Sequence, residues 1–198
     1  MNKAFVLFLL TSFSSFAAEQ ELGLTLGRIS GPVRSSSPGE IRLDGGVALQ
    51  ANYGIRLLRL SPRFSLLGQV HFLANGQRVI SSANPVVTKD IATAYVTPGI
   101  RLRMNGKISP FADIGVGYAL YEQSFFQQNG ASNGAPRFIH RGALSYGGGV
   151  DAPLWRWIGL RVEVRDFYTG NPAFNAPVRN SGQHNVVFGG GFLVKFGR

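Results

Sequence analysis

The residues of this chain with most chemistry to offer are charged side chains that recur on one face of alternating segments: Arg56, Arg101, Asp113, Asp151, Arg161, Glu163, Arg165 and Lys195. An ion shut away from water needs a partner of opposite charge. Pairing of neighbouring segments would bring Arg101 to Asp113. It would also place Asp151 and Glu163 within reach of Arg161 and Arg165. Two kinds of chemistry follow from such a set. One is a fixed salt-bridge network that fills an interior. The other is a gate whose rearrangement admits ions.

Catalytic constellations are weaker. The three histidines, His71, His140 and His184, are expected near one rim together with Asp90 and Asp166. Ser65 is expected at the opposite end, Ser145 on the inner face, and Ser181 on a loop. A nucleophilic triad is defined by geometry, and no spacing here imposes one. The histidines lack the spacing of zinc ligands, and with no cysteine there is no thiolate for catalysis or metal binding. The triplets Gly147-Gly148-Gly149 and Gly189-Gly190-Gly191 do not open a helix, so they fail the context of a phosphate loop. In a strand they permit bending and close backbone approach. No catalytic residue, metal site or cofactor is therefore assigned.

The elements that must position these residues are strands. Apolar residues alternate with small or polar ones, a period of two. In the last segment, 185–196, Val186, Phe188, Phe192, Val194 and Phe196 share one face. Seven earlier segments repeat the pattern, at about 19–28, 45–57, 63–73, 91–103, 108–121, 137–152 and 158–168. Their lengths suffice for the roughly nine to eleven residues with which a tilted strand crosses a bilayer. The connections alternate: 29–43, 74–90, 122–136 and 169–183 are long, whereas 58–62, 104–107 and 153–157 are short. Long loops at one end and short turns at the other are the threading of an up-and-down membrane barrel.

The two faces are unequal. One carries Leu, Val, Ile, Phe and Tyr; the other carries Gly, Ala, Ser, Thr, Gln and Asn with the charges named above. The second face is too small and too uncharged to serve as a water-facing surface, but turned inward it can fill a narrow lumen. The apolar face then meets lipid, and barrel closure satisfies the backbone. A soluble, lipocalin-like secreted barrel is the structural rival. Tyr53, Phe64, Trp155, Trp157 and Phe196 fall at the short-turn ends of their strands and are expected to form an aromatic girdle. Phe72, Tyr118 and Phe188 lie nearer the other rim.

Residues 1–17 have the layout of a secretory signal: Lys3, then the apolar run 4–10, then small residues at Ser15 and Ala17. The domain division is therefore 1–17 for the signal and 18–198 for the barrel. The net charge of +10 is dispersed along the sequence, which argues against nucleic acid as a partner.

The strand count, the loop alternation, the segments Ser145–Val150 (SYGGGV) and Leu160–Tyr168 (LRVEVRDFY), and the ending GGGFLVKF together resemble one group. This group is the small eight-stranded outer-membrane barrels of Gram-negative bacteria, such as the barrels of outer-membrane proteins A, W and X. The resemblance covers essentially the whole segment after residue 17. It implies an all-β, eight-stranded antiparallel up-and-down transmembrane β-barrel in the cell outer membrane. It implies a monomer surrounded by outer-membrane lipid and lipopolysaccharide. It also implies that Phe196 is the terminal aromatic read by the barrel-assembly machinery, although Gly197 and Arg198 follow it here. The expected role is structural or surface-interacting, through four extracellular loops over a plugged lumen, and not enzymatic. The alternatives are a narrow pore or carrier for small solutes and, further off, a lipid A-modifying enzyme.

Overall fold

The computed structural model describes residues 19–31, 33–36, 39–176 and 182–197. The signal segment expected at 1–17, Ser181 and Arg198 lie outside them. Within the described residues there are ten strands: β1 (Gln20–Ser30), β2 (Val33–Ser36), β3 (Gly39–Leu43), β4 (Gly46–Arg59), β5 (Phe64–Ser82), β6 (Asp90–Met104), β7 (Ser109–Gln123), β8 (Phe138–Pro153), β9 (Ile158–Gly170) and β10 (Gly182–Phe196).

Eight of them close a ring. Each of β4 to β9 pairs antiparallel with its successor, β1 pairs with β4, and β1 also pairs with β10 from Gln20↔Phe196 to Ser30↔Val186. The first and last strands thus leave no open edge in the ring. Alternation decides which face is which. Leu22, Leu24 and Leu26 on β1 are exposed, as are Ile114 and Val116 on β7 and Leu160, Val162 and Val164 on β9. Between them Thr25, Asp113, Arg161, Glu163 and Arg165 are buried. The barrel is apolar outside and polar within, the reverse of a soluble barrel, so the soluble rival falls.

The long-loop end departs from the expected picture of polar connections. The first connection contains the β2–β3 hairpin, and β3 pairs with the upper part of β5 through Ile41↔Ser82 and Leu43↔Ile80. Strand β5 does not end near residue 73 but continues to Ser82. Asn75-Gly76, a turn signal in the sequence, sits inside that strand, where the register against β6 shifts between Asn75 and Arg78. A bulge accommodates the one extra residue without ending the strand.

The other long connections knit to each other. Gln128 donates through its backbone N to Val87 O (2.9 Å), Lys89 N donates to Phe126 O (3.0 Å), and Asn175 Nδ2 donates to Asn133 Oδ1 (2.7 Å) and Val86 O (3.1 Å). Under them lies an apolar plug of Ile29, Ile41, Leu43, Leu73, Ile80, Val87, Ile91, Phe167, Phe174 and Val187. Phe174 holds a left-handed backbone with φ of 47°, uncommon for a bulky residue. Its full burial and its edge-on packing against Tyr121, ring centroids 6.1 Å apart, offset that cost.

Candidate functional site in the barrel lumen

The short-turn half of the lumen is filled by ions. Arg101 and Asp113 face each other across the β6–β7 ladder, and Arg101 donates to Asp113 Oδ2 from both Nε and Nη2 at 3.3 Å. Asp151 and Arg161 face each other across β8–β9, joined by a forked pair of bonds of 2.7 and 2.8 Å. Two parallel N–H donors match the two carboxylate oxygens, the strongest geometry open to such a pair. Arg165 reaches past β8 to Asp113 Oδ2 at 2.6 Å and lies 3.7 Å from Glu163 Oε2. The structure therefore brings Arg101, Asp113, Asp151, Arg161, Glu163 and Arg165 into one buried cluster.

Its hub is a residue absent from the sequence-derived set. Glu21 accepts from Arg101 Nη1 at 2.7 Å, Arg103 Nη1 at 2.5 Å and Arg161 Nη2 at 3.1 Å. Strand β1 thereby ties across the lumen to β6 and β9. Glu19 extends the network, accepting from Arg103 Nη2 at 3.0 Å and pairing with Arg56. The signal for Glu21 was its position: it lies on the same face of β1 as Gly23, Thr25 and Gly27. Arg103 lies on the same face of β6 as Arg101. Room for the long side chains comes from glycine. A Cβ at Gly23 would stand 2.9 Å from Arg161 Nη1, and one at Gly149 would stand 2.7 Å from Cζ of Phe111. Phe111 in turn stacks beneath the guanidiniums of Arg101 and Arg161, at 4.2 and 4.8 Å.

Above the ions the lumen becomes amphipathic. Glu163 accepts from Thr25 Oγ1 (3.0 Å), Thr25 Oγ1 from Gln50 Nε2 (3.0 Å), and Gln50 Oε1 lies 3.2 Å from His71 Nε2. His71 is thus not at the rim but fully buried, its ring 5.8 Å from that of Phe167. Tyr95, stacked on Phe167, meets the Tyr121 hydroxyl, which also contacts Thr169 Oγ1 (2.6 Å) and accepts from Gln183 Nε2 (2.7 Å).

The other two histidines stand on the outer wall near the long-loop end. His140 pairs with the Tyr118 hydroxyl. His184 Nδ1 lies 2.5 Å from Asp166 Oδ2, which also accepts from the Tyr146 hydroxyl at 2.7 Å. Ser65 is at the opposite end, bonded to Asn105, and Ser145 is bonded to Thr97. No serine described is brought to a His–Asp pair, so a Ser–His–Asp arrangement does not form among the described residues. They also contain no group of three or more metal-ligating side chains.

The aromatic residues at the short-turn end point outward. Trp155 is 74% exposed, and Trp157, Phe64 and Phe196 are exposed beside it. Tyr53 is half-buried and donates from its hydroxyl to Gln20 Oε1 at 2.8 Å.

An apolar-walled, eight-strand ring enclosing paired charged side chains is the architecture of an outer-membrane barrel. The family described as the outer membrane protein beta-barrel domain matches residues 4–196, and the chain belongs to it. It is an outer-membrane β-barrel protein of the Gram-negative type. Among solved structures it is similar to Neisserial surface protein A (NspA), with a TM-score of 0.55 and 13% identity over 91% of this chain and 98% of that one. It is also similar to the outer membrane protein OprG from Pseudomonas aeruginosa, with a TM-score of 0.56 and 14% identity over 90% of this chain and 96% of that one. At these identities the likeness is one of fold. No curated protein matches the chain.

Proposed function

We propose that this protein is a non-conducting outer-membrane barrel that acts through its external cap, as a structural or surface-interaction protein. The observation that carries this reading is the two-layer filling of the lumen. Ion pairs from five strands occupy one half, and an apolar plug sealed by the loops occupies the other. A hydrated path for ions would need both layers to move. The cap presents Phe125 and Phe126 to the outside, with the Arg137 guanidinium 3.7 Å from the Phe125 ring centroid, a surface suited to contact. Tyr53, Phe64, Trp155, Trp157 and Phe196 would sit among the periplasmic headgroups. Tyr118, Tyr146 and Tyr168 would meet lipopolysaccharide on the other side. Phe196 would serve as the assembly signal, and the barrel would work as a monomer.

The test is planar-bilayer recording of the purified, folded protein. Silence at all voltages is expected, and stepwise single-channel currents would establish the narrow-pore reading instead. Cells with and without the protein should show the same lipid A mass profile; a new lipid A species would restore the enzyme reading.

A further inference from the structure

The short-turn mouth of the lumen is a cup of about 440 Å³, lined by Glu19, Arg56, Arg59, Arg103, Asn105, Ser109 and Lys195 among others. Its single acid is already shared, since both Arg56 and Arg103 pair with Glu19. Among the described residues no carboxylate lies within ion-pair distance of Arg59 or Lys195. The surroundings deepen the imbalance. The turns joining β4 to β5, β6 to β7 and β8 to β9 contribute Arg63, Lys107 and Arg156, all exposed. Apart from Glu19, the acids of the chain lie outside the cup. Glu19, Glu21, Asp113, Asp151 and Glu163 are consumed in the lumen network; Glu40, Asp44, Asp90, Glu122 and Asp166 belong to the long-loop end. Cations stand at both ends of the barrel, but at the long-loop end they share the space with five acids, whereas at the short-turn mouth they face Glu19.

We infer that this cup is a binding site for a phosphate-bearing anion presented from the periplasmic side. A concave wall of one sign focuses the potential inside it and raises the local concentration of counter-ions. Guanidiniums supply paired N–H donors that fit phosphate oxygens, and a lysine adds a mobile point charge. The floor of the cup is the closed network around Glu21, so an anion is held at the mouth and not passed through. A narrower cavity of about 140 Å³ adjoins it, sharing Gly106, Ser109 and Lys195 and walled by Trp155, Trp157 and Leu193; its one acid, Asp151, is paired with Arg161, and Arg156 adds a cation. The same phosphate chemistry could thus come from a soluble anion or from an anionic phospholipid whose apolar part lies along the tryptophans. The inference does not depend on whether the lumen conducts.

Calorimetric titration of the full chain, folded in zwitterionic detergent, tests it with two probes: inorganic pyrophosphate and short-chain phosphatidylglycerol. Saturable binding of at least one is expected, weakening as salt rises. Binding of pyrophosphate marks a soluble ligand as sufficient; binding of the lipid alone assigns the phosphate to phospholipid. The double variant Arg59→Gln/Lys195→Gln should bind about tenfold more weakly, because two charge-assisted contacts are lost. If it lacks the heat-modifiable gel mobility of a folded barrel, Lys195→Gln alone should show a smaller loss in the same direction. Arg42→Gln, an exposed cation at the other end, should bind as the unaltered protein does. Failure of both probes to bind, or an equal loss in Arg42→Gln, would overturn the inference.

Discussion

The two halves of the lumen solve the same packing problem by opposite means. Near the short turns, the interior is held by guanidinium–carboxylate pairs whose side chains are almost wholly inaccessible. Near the long loops it is held by Ile29, Ile41, Leu73, Ile80, Phe167 and Phe174. One buried guanidinium enters the upper half, Arg78; its Nε and Nη1 donate to neutral oxygens, Asp44 O and Asn185 Oδ1, each at 3.1 Å, and its Nη2 is buried with no hydrogen-bond partner among the described residues. The difference follows from what each half must pack against. In the membrane-crossing ring the outward face is given over to lipid, so the inward face is small and polar, and long charged side chains from facing strands fill it. Beyond the ring the loops return water to the outside, and the interior can be apolar as in a soluble core.

The comparison has energetic consequences. Charge pairs are unforgiving when one partner is removed, because the remaining ion is left buried and alone. Glu21→Gln strands parts of three guanidiniums. It should cost about 3–5 kcal/mol, read as a lower urea midpoint for unfolding from lipid vesicles. A loss below about 1 kcal/mol would mean that water, not Glu21, solvates those arginines, and that the lower half is wet.

An apolar deletion should act more locally. Ile80→Ala, in the plug, should cost about 2–4 kcal/mol by removing buried methyl groups and leaving a cavity. Its signature is faster amide exchange in 83–89 and 124–137 with the β6–β9 ladders unchanged. Exchange that rises equally in both halves would show one cooperative unit. Replacing 124–137 by a Gly-Ser linker should leave the bilayer silent, since the ion network still spans the lumen. Channels in that variant would place the barrier in the cap.

The smallest effect should come from a charge pair that is not enclosed. Arg137 and Glu122 pair at the long-loop end with both side chains more than a third exposed. Arg137→Gln should change stability by no more than about 0.5 kcal/mol, and high salt should erase the difference. The contrast with Glu21→Gln sets one exposed pair against a buried carboxylate that serves three guanidiniums.

Much of this was legible in advance. Strand-to-strand pairs adjacent in sequence could be read because a short turn fixes the register of its hairpin. Arg101 and Asp113 flank the turn containing Asn105-Gly106, and Asp151 and Arg161 flank the turn at 154–157. Glu21 was hidden for the complementary reason. Its partners lie 80, 82 and 140 residues away, and only the curvature of the closed sheet brings them together. His71 was misplaced because the rim was measured from an end of β5 near residue 73, whereas the strand runs to Ser82. Asn75-Gly76 misled because turn-forming residues also suit a bulge.

By itself, then, the sequence determined the alternation, and with it the fold class, the lipid-facing surface and the outer-membrane location. Period-two patterning is a local property, set by the opposite directions of successive side chains. The tertiary structure alone decided how the lumen is filled: the Glu21 hub, the loop cap with its buried Phe174, and the basic mouth. Each depends on distances across the barrel, and those are fixed only when β1 meets β10 and the ring closes.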